Sequence, residues 1–152
     1  MEAITAFLES FDIAKLLPEL GKFISDLRFW LGLFMLAGPI VMLLLGLWYF
    51  FLPTKEANHH VGFRTYFDMG SPDAWKFTQK RAGLLFMIGG GVLTVAAIVL
   101  LVLLAGAEPM KMATTALILL LIQVLVAFSL WLTVQLTIMI RYDKQGNRKN
   151  RG

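Results

Sequence analysis

The side chains with the most to offer chemically sit between Asn58 and Trp75, in the run N-H-H-V-G-F-R-T-Y-F-D-M-G-S-P-D-A-W. Arg64 brings a planar, permanently charged fork suited to bidentate contact with a carboxylate or phosphate. Two uses fit it: a clamp on a ligand or lipid phosphate, and a strut that satisfies loop carbonyls and a loop carboxylate such as Asp68 or Asp73. His59 and His60 with Glu56 raise the question of a metal. Adjacent histidines point in different directions, and the two-on-one-face spacing of a helical zinc site is missing, so no metal is expected. No Ser-His-Asp order, phosphate-binding glycine turn after a strand, or spaced carboxylate pair can be assembled either. The chain has no Cys, which removes thiol nucleophiles, thiolate metal sites and disulfides. The expectation is a protein that binds without catalysing and needs no cofactor.

The elements that position this cluster are apolar. Of 152 residues, 58% are hydrophobic and 16% charged, with a mean hydropathy of +0.72, far from the balance of a soluble domain. Three charge-free runs are long enough to cross a bilayer: about 29–52, 83–107 and 113–140. Trp30 near one end of the first, with Trp48 and Tyr49 near the other, suits an interfacial belt. The turn around Gly106-Ala-Glu-Pro109 makes the second and third runs an antiparallel pair. No short basic region leads directly into an apolar core and a small-residue cleavage site, so the first run is expected to stay as a span. The predicted fold is all-α: three transmembrane helices, an N-terminal amphipathic helix and a cytoplasmic helical loop. The expected divisions are an amphipathic segment 1–27, a membrane domain 28–143 and a basic tail 144–152.

Basic residues set the orientation. Ten of the 14 Lys and Arg residues lie in the loop after the first span (Lys55, Arg64, Lys76, Lys80, Arg81) or after the third (Arg141, Lys144, Arg148, Lys149, Arg151). Glu2, Glu9, Asp12, Glu19 and Asp26 make the N-terminal segment net acidic. The N-terminus is therefore expected outside and the C-terminus in the cytoplasm. Juxtamembrane cations attract anionic lipid, which accounts for the formal charge of +4 without nucleic acid.

Two apolar faces share the first 27 residues. Ile4, Phe7, Leu8 and Phe11 lie on one; Ile13, Leu16, Leu17, Leu20, Phe23, Ile24 and Leu27 lie almost half a revolution away, which implies a break near Ser10 to Asp12. Pro18 suits a first turn, so a second piece is expected to start near Leu17. Such a segment either touches an outside ligand or anchors the first span at the surface; the anchor is preferred.

Polar residues within the spans are few. Pro39 should free a backbone carbonyl and kink the first span, while Gly89, Gly90 and Gly91 let another helix approach the second closely. Ser129, Thr133 and Thr137 form an i, i+4, i+8 stripe, and Gln123 and Gln135 are amides needing partners. These are expected to act as helix packing. With no Asp, Glu, Lys, Arg or His inside the spans, transport by this chain alone is not expected.

Ser71-Pro72-Asp73 is a strong helix start, with a hydroxyl N-cap, proline at the first helical position and a carboxylate against the positive helix end. Trp75 then falls in the first turn, where it is expected at the membrane interface with Lys76, Lys80 and Arg81 toward phosphate. Gly62 supplies backbone freedom just upstream.

The run Pro53…Asn58…V-G-F-R-T, followed by Ser71 and by W-K-F-T-Q-K-R-A-G83, resembles the signature of the SdpI family, bacterial membrane proteins whose namesake confers immunity against a secreted toxic peptide. Asn58, Gly62, Phe63, Arg64, Thr65, Ser71 and Trp75 occupy the motif positions. The resemblance runs from about Trp30 to Asp143, and the D-K-Q-G-N-R-K tail is similar to endings of shorter members. The chain is much shorter than the namesake and has its own acidic N-terminus. The resemblance implies a bacterial inner-membrane immunity protein that acts by binding a toxin peptide. The alternative is a structural or accessory subunit whose partner, beyond the lipid bilayer, is another membrane protein or a second copy of the chain.

Overall fold

The computed structural model describes residues 13–54, 62–65 and 67–149, with side chains from Pro18 onward. Among the described residues there are three helices: α1 (Ile13–Phe51), α2 (Pro72–Leu103) and α3 (Pro109–Arg141). At 1.5 Å per residue they are about 58, 48 and 50 Å long, against a hydrocarbon core of roughly 30 Å. All three are long and apolar enough to cross a membrane.

The helix ends differ from expectation in two places. α1 is continuous from Ile13 into the first span, with Pro18 inside it, so no new helix begins near Leu17. Proline this near a helix start forfeits one bond, to the Ala14 carbonyl, and the helix persists. The break expected at Ser10 to Asp12 and the apolar face from Ile4 to Phe11 lie outside the described residues. At its far end α2 stops at Leu103, short of Ala107, because Ala105 and Ala107 turn back onto the carbonyls of Val102 and Leu104. There the Arg28 guanidinium donates to the Ala107 carbonyl at 2.5 Å and ties α1 to the α2–α3 turn.

Each helix buries a narrow stripe and leaves the rest to lipid. On α1 the buried positions Met35, Pro39, Met42 and Gly46 recur every three or four residues, while Phe29, Phe34, Val41, Leu44 and Trp48 are exposed. Exposed apolar surface on this scale suits hydrocarbon as solvent. α1 and α2 pack antiparallel with their backbones nearly touching. A methyl group at Gly46 would collide with the Met87 backbone, at Gly90 with Leu43 and at Gly83 with Phe50. Gly89 instead faces the side chains of Leu130 and Met42, and Gly91 has only an ordinary contact with Leu43. Small residues thus let dispersion contacts accumulate where no hydrophobic driving force separates helix from lipid.

Two apolar clusters fill the interior. Met35, Ala97, Leu104, Ala116 and Leu119 lie toward the α2–α3 turn; Phe63, Ala82, Val134 and Ile138 lie toward the loop. Between them Pro39 leaves the Met35 carbonyl without its helical N–H, and Gln123 of α3 donates its Nε2 to that oxygen at 3.0 Å. The Gln123 Oε1 rests against Gly38, where a larger residue would collide with it. The Ser/Thr stripe behaves differently from expectation: Ser129, Thr133 and Thr137 donate to the carbonyls of Leu125, Ser129 and Thr133 on their own helix. Ser129 and Thr133 are exposed, so neither is buried between helices of the single chain.

Candidate functional site

At the basic end of the bundle the loop before α2 closes over that helix. Ser71 is in extended backbone (φ −152°, ψ 152°) and its Oγ accepts the Ala74 N–H at 3.2 Å, with Pro72 opening the helix and Asp73 in its first turn. This local start directs Trp75, Thr78, Gln79 and Ala82 to one buried face.

The chain from Gly62 to Thr65 lies on that face. Gly62 has φ +127°, a conformation that L side chains rarely adopt, and an added Cβ would lie 2.7 Å from Cζ2 of Trp75. Phe63 is gripped through its backbone. Its N–H donates to Gln79 Oε1 at 2.9 Å, and its carbonyl accepts Gln79 Nε2 at 2.6 Å. One side-chain amide thereby satisfies both polar groups of a residue that has no strand or helix to pair with. The Phe63 ring plugs the bundle end, edge-on to Tyr49 of α1 at 6.3 Å and Phe86 of α2 at 5.8 Å, within the cluster that includes Val134 and Ile138 of α3.

Trp75 corrects the interfacial expectation. It is fully buried, and its indole N–H donates to the carbonyl and hydroxyl oxygens of Thr54, each at 3.1 Å. The loop covers the ring, so Trp75 joins the segment after α1 to the first turn of α2. Asp68 is likewise buried. Its Oδ2 accepts the Thr65 N–H at 3.1 Å, and its Oδ1 makes no hydrogen bond among the described residues. Burial pushes its carboxyl up to about 6, with the Thr65 N–H acting in the opposite direction.

The tail completes the enclosure. Beyond α3, Tyr142 and Arg148 form an antiparallel bridge, and the Asp143 carboxylate accepts the N–H groups of Gln145 and Asn147 at 3.0 and 2.7 Å. Those bonds hold Asp143 below the usual carboxylate range, with the Asn147 N–H the main cause. The resulting hairpin turns through Gly146 (φ +77°) and docks on the loop, where the Ser71 hydroxyl donates to the Gly146 carbonyl at 2.6 Å. One hydroxyl therefore caps α2 and fastens the tail. Phe77 of α2 packs on Tyr142 at 5.8 Å and lies under the Arg141 guanidinium at 4.8 Å.

Of the residues singled out in the sequence, Gly62, Phe63, Thr65, Ser71 and Trp75 come together in this enclosure. Arg64 stands among them with its side chain exposed. Asn58, His59, His60 and Glu56 lie outside the described residues. Sequence reasoning missed Gln79, Thr54 and Gly146. Gln79 had a visible signal: it lies four residues after Trp75 on the face that carries Ala82, an amide on an otherwise apolar stripe.

Three lipid-facing helices, closed at one end by a hydrogen-bonded loop and a folded tail, define a small multi-pass membrane protein. The chain belongs to the SdpI/YfhL protein family, whose model matches residues 54–140. That match contains the loop, α2 and nearly all of α3; it is narrower than the likeness from Trp30 to Asp143, leaving out the first span and the D-K-Q-G-N-R-K tail. No curated protein and no solved structure matches the chain.

Proposed function

We propose that this protein protects a bacterial cell against a membrane-active toxin or peptide by binding it, with no covalent chemistry. Family membership supports the reading, and one observation within the matched segment carries it to a residue. Among the described motif positions, Gly62, Phe63, Thr65, Ser71 and Trp75 are buried or half-buried in holding the loop, while Arg64 is exposed. A rigid platform that presents one guanidinium suits recognition of a carboxylate or another anionic group. In the orientation we propose, the N-terminus lies outside the inner membrane and the loop and tail lie in the cytoplasm, as their basic residues favour.

Expression in a sensitive bacterium, followed by challenge with a panel of membrane-active peptides, should raise survival against at least one of them. Arg64→Ala should abolish that gain while leaving helix content and Trp75 fluorescence unchanged. Survival that stays at the vector level across the panel would sink the reading. A reporter fused after Gly152 tests orientation, and a signal from outside the cell overturns it. The exposed Ser129 and Thr133 favour a second reading, an accessory subunit that docks α3 on a larger membrane complex. Purification in mild detergent would then yield a defined partner, and a chain that runs alone counts against it.

A further inference from the structure

Beyond toxin binding, we infer that the tail hairpin and the basic ends of α2 and α3 form a binding site for the phosphate headgroup of an anionic phospholipid. Two clefts, of about 430 and about 400 Å³, share Arg148 as a wall. The first is bounded by Arg141, Arg148 and Lys149 together with Thr137 and Ile140; the second by Lys76, Lys80, Phe77, Tyr142 and one carboxylate, Asp73. Five cations thus converge on two adjoining hollows that hold a single acid.

The cations are placed by structure rather than scattered on a tail. Tyr142 pairs with Arg148 across the hairpin, and the Lys149 N–H donates to the Arg141 carbonyl at 2.9 Å, so Arg148 is fixed at the rim. The Lys149 ammonium donates to the Met139 carbonyl at 2.8 Å and Arg141 rests on Phe77, which fixes both heads. Lys76 and Lys80, four residues apart on α2, share one helix face. Among the described residues, no ion pair or hydrogen bond takes up the Arg148 guanidinium.

A lipid fits better than free phosphate because the first cleft is two-sided. Arg141 lies one turn from Thr137 and next to Ile140, and exposed Leu136 and Leu132 continue the Ile140 row down α3 at four-residue spacing as an apolar ridge. A ligand with a phosphate at one end and an acyl chain at the other meets both. Each cation near a negatively charged bilayer surface contributes about a five-fold gain in binding.

The test is native mass spectrometry of the full chain in detergent, titrated with phosphatidylglycerol and with phosphatidylcholine of the same acyl chains. The expected result is preferential retention of phosphatidylglycerol by at least about five-fold, falling about five-fold in Arg148→Gln and holding in Arg148→Lys. Lys111→Gln, at the opposite end of the bundle, should change nothing. If circular dichroism shows that Arg148→Gln perturbs the hairpin, the exposed pair Lys76→Gln/Lys80→Gln should produce the same loss. Equal retention of the two lipids, or undiminished preference in folded Arg148→Gln and in the lysine double variant, overturns the site. Displacement of phosphatidylglycerol by millimolar inorganic phosphate overturns the lipid as its occupant. None of these readouts depends on a toxin, so the site and the immunity reading fail separately.

Discussion

Replacing Gln79 by leucine tests whether the loop is held by one side-chain amide. Leucine has nearly the volume of glutamine and is apolar, so the buried face beneath Phe63 stays filled. What is lost is the pair of bonds to the Phe63 N–H and carbonyl, at 2.9 and 2.6 Å. Each orphaned backbone group costs about 1–3 kcal/mol, which sums to about 2–6 kcal/mol, with the upper end lowered if the loop opens to water. Even about 2 kcal/mol raises the population of the open loop roughly 30-fold. Hydrogen exchange read at the Phe63 amide should therefore accelerate by about that factor or more, while amides in the middle of α2 keep their protection.

Gln79→Glu sharpens the same experiment. The introduced carboxyl, when protonated, reproduces both bonds of the amide, donating to the Phe63 carbonyl and accepting its N–H. The ionised form cannot donate, and it faces the carbonyl oxygen with a negative charge. The folded state therefore raises this carboxyl above its unfolded value, so protection is present at low pH and lost as pH rises through the folded pKa. Exchange corrected for its intrinsic pH dependence should show that loss in Gln79→Glu and lack it in wild type. Unchanged protection of Phe63 in Gln79→Leu would refute the amide clamp, and a pH-independent Gln79→Glu would refute the roles assigned to its two atoms.

Gly62→Ala should destabilise the loop by about 1–3 kcal/mol from backbone strain alone, and the overlap with Trp75 adds to it; Trp75 emission should shift to the red. Asp68, with its carboxyl pushed up to about 6, stabilises the fold most when protonated, and that contribution is lost as pH rises through about 6. Asp68→Asn should flatten the pH dependence of loop protection over that range, by at most about 3 kcal/mol before solvent screening reduces it, and an unaltered slope would count against burial of the charge. Gln123→Leu should cost about 1–2 kcal/mol by stranding the Met35 carbonyl, and Pro39→Ala should recover part of that loss by restoring the helical N–H; additive losses in the thermal melts of the single and double variants would show that the two residues do not share a partner.

How much of this was legible follows the range of each interaction. The spans could be read because charge-free runs of that length have few other solutions, and the α2 cap because Ser71, Pro72 and Asp73 act on their immediate neighbours. The closure of the loop joins Phe63 to Gln79 and Ser71 to Gly146, which are 16 and 75 positions apart, and no local period encodes such pairs. Trp75 was misplaced because the interfacial rule presumes a helix face open to headgroups, and only the folded loop removes that face from them. Pro39 and Gln123 show the intermediate case. Each could be recognised separately, one as the source of an unsatisfied carbonyl and the other as an amide without a partner. In hydrocarbon neither can turn to water, and the spans hold so few other polar groups that the two deficits are best met by each other. The same reasoning makes Gln79 as readable in principle as Gln123: an amide on a buried stripe demands a partner, and the peptide bonds of the preceding loop were the unsatisfied groups within reach.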